Sequence, residues 1–198
     1  MYISEFYTER LCIREYRGRD IDGYLRVIRQ PEIYATTYGF PRDYSRMRAK
    51  WWFRIIKANR LSGTAYEYAV TLRDNGKYIG NVGLINISEE HNRADISYYI
   101  DREYMNKGYA TEAAKKMLEY GFKALGYNKI CGVCMTKNPA SRKVMEKIGM
   151  TYEGTLRKDL LKDGIYYDLD RLSILKEEYS TICNVEKGGF QHRGVERV

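Results

Sequence analysis

The segment Arg93 to Glu112, RADISYYIDREYMNKGYATE, joins a period-two run, a short turn at Gly108 and a helical run of small residues. Such a turn aims consecutive backbone N–H groups at one point, in front of the positive end of a helix. It can cradle an anion, with each favourable contact worth roughly 0.3–1 kcal/mol; the alternative is a corner that needs glycine only for its backbone. Downstream, Asn138 and Ser141 stand three apart at the start of another helical run, so both lie on one side of its first turn. Either they face a ligand, or Asn138 is simply an N-cap and Ser141 an exposed first-turn serine. Asp95, at the start of the strand that leads into the turn, can accept a proton directly or through water, or can orient Arg93 or Tyr98. His91 falls in a turn and His192 near the end of the sequence, so both are poor candidates for a base. Cys131 and Cys134 have the spacing of a redox pair, but within a strand positions three apart face opposite sides, away from the helix start that activates such thiols. With no second pair, zinc is not expected.

The elements that hold these residues follow from periodicity. Arg10 to Tyr16 alternates as a strand. Asp20 can cap a helix carrying Ile21, Leu25 and Ile28 that stops near Pro31; Ser45 can cap a second carrying Met47, Trp51, Ile55 and Asn59, with a loop between them. Tyr66 to Arg73, Lys77 to Ser88 and Arg93 to Asp101 then read as an antiparallel meander turning at Asp74-Asn75-Gly76. From Gly108 a helix presents Ala113, Ala114, Met117, Leu118, Gly121, Phe122 and Leu125 on one face and stops at Gly126. Lys129 to Met135 is a strand. Asn138-Pro139 starts a helix with Val144, Met145 and Ile148 buried and Gly149 at its end. A hairpin closes the fold, Thr151 to Arg157 and Tyr166 to Lys176 around Asp163-Gly164.

The expected architecture is one mixed α/β domain over residues 1–179, with a mostly antiparallel central sheet that splays beside Gly108 and helices on both faces. Residues 180–198 show little apolar periodicity and are expected to form a flexible tail. A chain of 198 residues with 44% hydrophobic and 30% charged residues supports one buried core. No stretch approaches the roughly 20 apolar residues of a membrane span. The first residues lack a basic region followed by an apolar run, and four scattered cysteines do not staple a chain of this size, which together point to the cytoplasm. The net charge of +8 suggests an anionic partner. Thirteen of the cations, against seven acids, lie in residues 1–60, yet they are scattered and lack the run and aromatic platforms of a nucleic-acid module.

IGNVGLINI, RADISYYID, NKGYATEA and NPASRKVMEKIGM occur in this order, and the chain thereby resembles the GCN5-related (GNAT) N-acetyltransferases over roughly residues 8–179. Its closing segment GTLRKDLLKDGIYYDLDRLSILKEE is most similar to the branch that acetylates ribosomal-protein N-termini. The resemblance implies that the glycine turn, Met105, Asn106, Lys107, Gly108, Tyr109 and Ala110 followed by Thr111, binds the diphosphate of acetyl-coenzyme A. It implies that the backbone of Tyr98, Tyr99 and Ile100 pairs with the pantetheine arm, that the N–H near Ile100 polarises the thioester carbonyl, and that Asn138 lies beside that arm. Met105 departs from the family's Gln or Arg, and Met145 stands where many relatives carry the tyrosine that protonates the departing thiolate. The resemblance passes that acid role to Ser141 and places Asp95 where relatives carry a Glu base. No metal is implied. The acceptor would be a protein N-terminus, with a small amine (polyamine, amino sugar or antibiotic) or a non-catalytic acetyl-coenzyme-A-binding regulator as alternatives. Oligomeric state is left open between monomer and homodimer.

Overall fold

Local pattern and long-range pairing divide the work of building the sheet. The computed structural model of the chain describes residues 3–39 and 44–188. It opens with a hairpin of β1 (Glu5–Tyr7) and β2 (Leu11–Arg14), of which only the second strand is expected from sequence. α1 (Ile21–Ile28) follows, but Asp20 does not cap it. Its carboxylate instead pairs with Arg14 at 2.7 and 2.8 Å, both side chains being 3% exposed. A buried guanidinium left alone would cost far more than an uncapped helix end, so the ion pair takes the carboxylate. Pro31 begins a further helix, α2 (Pro31–Thr36), at the position where a missing N–H costs nothing.

Ser45 caps α3 (Arg46–Ser62) by accepting from Arg48 N at 3.1 Å, as expected. The buried face differs: Ala49, Ile56 and Arg60 are covered, whereas Met47 and Trp51 are 79% and 57% exposed. Small Ala49 sets the close approach, and Trp52 and Phe53 rather than Trp51 pack on the α1 cluster.

β3 (Tyr66–Leu72), β4 (Tyr78–Ser88) and β5 (Arg93–Ile100) form the expected meander. α4 (Tyr109–Glu119) runs on through a π turn over Tyr120–Ala124, and Gly126, at φ +76°, marks the stop. β6 (Lys129–Met135), α5 (Pro139–Lys147) and the hairpin β7 (Thr151–Lys162) and β8 (Ile165–Leu175) complete the sheet. The last described element is α6 (Lys176–Gly188), so the expected flexible tail begins as helix. Tyr179 stacks on Phe122 at 4.9 Å between ring centroids, and this contact anchors it. Residues 189–198 lie outside the described residues.

The eight strands lie in the order β1-β2-β3-β4-β5-β6-β8-β7. All neighbours are antiparallel except β5 and β6, which are parallel and pair only from Arg93–Lys129 to Asp95–Cys131. Beyond Asp95 the two strands separate, which opens the sheet toward Gly108. One face carries α4 and α5 over Leu84, Met117, Leu118, Ile130 and Met145. The other carries α1 and α3 over Tyr24, Ala69 and Tyr78. Fully buried side chains such as Met117 and Leu84 are each worth about 1.5–3 kcal/mol, and they fix the sheet on which the gap opens.

Candidate active site

The turn before α4 has the backbone the cradle requires. Gly108 has φ +82° and Asn106 φ +60°, the left-handed region that glycine adopts freely and asparagine tolerates. An interaction invisible in the local sequence holds it: Arg10, from the β1–β2 turn, donates from Nη1 to the Lys107 carbonyl at 2.9 Å and from Nε to Glu112 Oε2 at 2.7 Å. Its guanidinium also lies 4.3 Å above the Tyr109 ring. Thr8 Oγ1 and the Arg10 amide both donate to Glu112 Oε1. Burial would raise the Glu112 carboxyl, but these donors outweigh it and hold it below its usual value. The N-terminal hairpin thus clamps the first turn of α4.

Each residue assigned to the cradle has a definite place. Met105 packs against the α1–α3 cluster, which accounts for an apolar side chain there. Lys107 folds back, its Nζ donating to the Glu103 carbonyl at 2.8 Å and lying 5.5 Å from the Tyr104 ring centroid. Tyr109 meets Tyr104 edge to face, and Ala110 and Thr111 lie half-buried in the first turn.

Across the gap, Asn138 caps α5 by accepting from Ser141 N at 3.2 Å, which is its expected local role. Its Nδ2 has no protein partner among the described residues. Tyr98 projects to the same side and hydrogen-bonds both the Ser141 carbonyl, at 2.9 Å, and its Oγ, at 3.0 Å. Burial pushes the Tyr98 phenol well up, so it stays protonated and able to donate. Cys134 lies beside this pair, its thiol raised by burial to about 11 and therefore neutral. Cys131 faces the other side, where Arg171 Nη2 approaches its Sγ at 3.5 Å. The two thiols are free and stand apart, as their strand register requires. Met145 is 1% exposed and serves the core, so nothing in its position can donate a proton.

Strand alternation sends Asp95, Ser97 and Tyr99 to the α1–α3 face. Asp95 Oδ2 accepts from Asn86 at 3.0 Å, whereas its Oδ1 and the Ser97 Oγ are buried with no partner among the described residues. Near that face the tip of the β7–β8 hairpin latches onto α2. Lys162 Nζ donates to the carbonyls of Tyr34 and Thr37, and Tyr34 Oη bonds Asp163 at 2.7 Å. Periodicity had shown both strands but not that their tip reaches α2.

Residues 10–151 match the family described as the acetyltransferase (GNAT) domain. The chain is 38% identical over 175 residues to YnaD of Bacillus subtilis (strain 168), an uncharacterized N-acetyltransferase, covering 87% of this chain and 98% of that one. It is 30% identical over 169 residues to YoaA of the same organism, also an uncharacterized N-acetyltransferase, covering 85% and 95%. Among solved structures, Mycobacterium smegmatis RimJ in complex with CoA-disulfide superposes with a TM-score of 0.78 at 21% identity, covering 90% and 89%. That last match speaks for the fold alone. The chain belongs to the GNAT acetyltransferases, and it is an N-acetyltransferase of this acetyl-coenzyme-A-dependent family.

Proposed function

We propose that the chain holds acetyl-coenzyme A at the Gly108 turn and transfers its acetyl group to a peptide α-amine that enters from the α1–α3 face. The left-handed Asn106 and Gly108, the clamped first turn of α4 and the gap between β5 and β6 fit a diphosphate followed by an extended arm. Bound there, acetyl-coenzyme A supplies an activated acyl group. Tyr98 to Ile100 would pair with the arm through their backbone, Asn138 Nδ2 would face it, and the N–H near Ile100 would polarise the carbonyl.

The observation that carries the choice of acceptor is the charge of α3. Its sequence RMRAKWWFRIIKANRLS has no acid, and five of its six cations are exposed, Arg60 being buried against Glu15; it lies on the acceptor side of the sheet. A polycation is repelled by such a surface, whereas a peptide with one α-amine and acidic side chains is drawn to it. Proton chemistry agrees. Neutralising a lysine at pH 7 costs roughly 3–4 kcal/mol more than neutralising an α-amine. Asp95 stands four residues from Tyr99, about 13 Å along the strand, so it meets the amine's charge at the entrance. On the other side, Ser141, bonded to Tyr98, protonates the departing thiolate.

Two measurements test this reading. A peptide with a free N-terminus and no lysine should show higher kcat/KM than its N-blocked, lysine-containing counterpart between pH 7 and 9. Faster turnover of the blocked peptide throughout reverses the assignment. Ser141→Ala should lower kcat about 100-fold, within the range for loss of a general acid, while leaving acetyl-coenzyme A affinity nearly unchanged. Unchanged turnover would return Ser141 to the helix start as an ordinary first-turn residue.

A further inference from the structure

Glu67, in β3, is a half-buried carboxylate for which the reaction as described so far has no use. Its register settles where it points. Glu67 stands opposite Gly83 of β4, and Gly83 stands opposite Ser97 of β5, so the three form one row on the α1–α3 face. A Cβ on Gly83 would sit 2.8 Å from Glu67 Cγ and 2.8 Å from the Tyr66 carbonyl oxygen. The glycine therefore lets the glutamate lie flat across β4, toward the strand whose backbone is assigned to the thioester. Ser97, the next residue in the row, has its buried Oγ without a partner among the described residues.

Among the described residues, the surroundings of Glu67 hold no compensating charge. Its one hydrogen-bond partner among the described residues is Asn81 Nδ2, at a long 3.4 Å. Asn81 stands opposite Tyr99 and also donates to the Tyr16 hydroxyl at 2.7 Å, while Tyr78 and Tyr99 join their hydroxyls at 3.0 Å. The groups that face it are thus Tyr16 from the link between β2 and α1, Asn81 and Tyr78 from β4, and Ser97 and Tyr99 from β5. Tyr24 of α1 and Tyr44, just before α3, complete the set within reach of its charge. None of these is ionised at neutral pH. A carboxylate with no cation and one weak donor is a base awaiting a positively charged or proton-bearing ligand. Burial raises its carboxyl to about 7, which suits proton exchange with an amine of similar strength.

We propose that Glu67 is the group that takes the proton from the acceptor amine during transfer. The assignment rests on the acetyltransferase reading above and divides the labour of the two carboxylates. Asp95 attracts the amine at the entrance; Glu67, two strands from β5, reaches over Gly83 to Asn81, the residue opposite Tyr99, and meets it at the point of reaction. As the amine nitrogen bonds the acetyl carbon, Glu67 receives the proton that the nitrogen sheds. The C–S bond breaks with its electron pair on sulfur, Ser141 passes its hydroxyl proton to that thiolate and regains one from water, and the Glu67 proton leaves to water.

The test is Glu67→Gln, which keeps the shape and an oxygen for Asn81. With an α-amine peptide at pH 7 its kcat is expected to fall about 100-fold, and acetyl-coenzyme A affinity by titration to stay as in the wild type. The pH profile of kcat/KM should lose the acid limb near 7 and keep the limb set by the amine itself, whereas Asp95→Asn should keep both and raise KM. Should Glu67→Gln not fold, Glu67→Asp carries the test, with about a tenfold fall in kcat expected at unchanged affinity for acetyl-coenzyme A. A folded variant with wild-type kcat and an intact limb overturns the role of Glu67. Absence of turnover in the wild-type protein with every amine is a different result, which overturns the acetyltransferase reading beneath it.

Discussion

Gly108→Val is expected to leave a folded protein whose affinity for acetyl-coenzyme A is about 100-fold weaker. A β-branched side chain at φ +82° is strained by about 1–3 kcal/mol, and the strain is relieved by rotating the backbone toward negative φ. That rotation swings the amides of Gly108 and Tyr109 out of convergence and forfeits contacts worth roughly 0.3–1 kcal/mol each. To regain them, binding must restore the strained backbone, and with each 1.4 kcal/mol counting about tenfold, the upper part of that strain reaches the stated effect. Steric exclusion is the lesser part, since the new Cβ would meet only the flexible end of Arg10, at 3.3 Å from Nη2. Gly108→Asn, which tolerates the left-handed region, should therefore retain most of the affinity. Calorimetric titration of both variants checks the argument; unchanged affinity in a folded Gly108→Val protein places the anion site elsewhere.

The second large effect is structural and acts on the same turn. Asp101 follows β5 directly, its side chain is 0% exposed, and it accepts hydrogen bonds from Arg26, from Gln30 Nε2 at 2.8 Å and from the Glu103 amide at 3.2 Å. It thereby ties α1 to the segment that leads into Gly108. Asp101→Ala should destabilise the fold by about 3 kcal/mol, at the low end for breaking a buried pair because Arg26 is 39% exposed and can rehydrate. Burial by itself would raise the Asp101 carboxyl, but Gln30, Arg26 and the Glu103 amide outweigh it and hold it below its usual value. The folded state therefore binds this proton more weakly than the unfolded chain. The stabilisation is complete above the unfolded value of about 3.9 and fades as the pH falls through the lower folded value. Urea unfolding of wild type and Asp101→Ala should show the full difference at pH 7 and a smaller one near pH 3. A difference that does not shrink in acid would mean that packing, and not the carboxylate's charge, holds the turn.

What was legible in the sequence was whatever local chemistry determines. Gly108 announced a tight turn, Asn138-Pro139 a helix start, and the alternation of Tyr66 to Asp101 a meander, because each depends on neighbours a few residues away. The clamp of Arg10 on Glu112 and the Tyr98–Ser141 bond join residues 102 and 43 positions apart, and no spacing rule reports them. Glu67 was hidden for a related reason: a charged residue within a strand reads as solvent-facing until the register shows Gly83 beside it. The face of α3 was missed by one residue, because two adjacent tryptophans fit the helical period equally well and only the sheet beneath decides which is covered. Asp20 shows the remaining kind of failure, a cap residue by position whose side chain answers a buried arginine instead.

The account is tested most directly by locating the transferred acetyl group. The wild-type protein would be incubated with acetyl-coenzyme A and an acidic peptide that carries both a free N-terminus and an internal lysine, in the presence of equimolar spermidine. Fragmentation mass spectrometry then assigns every acetylated nitrogen. The account predicts one acetyl group on the peptide α-amine, with coenzyme A released in equal amount and spermidine and lysine left unmodified. Acetyl on spermidine or on lysine, with the α-amine untouched, would contradict it.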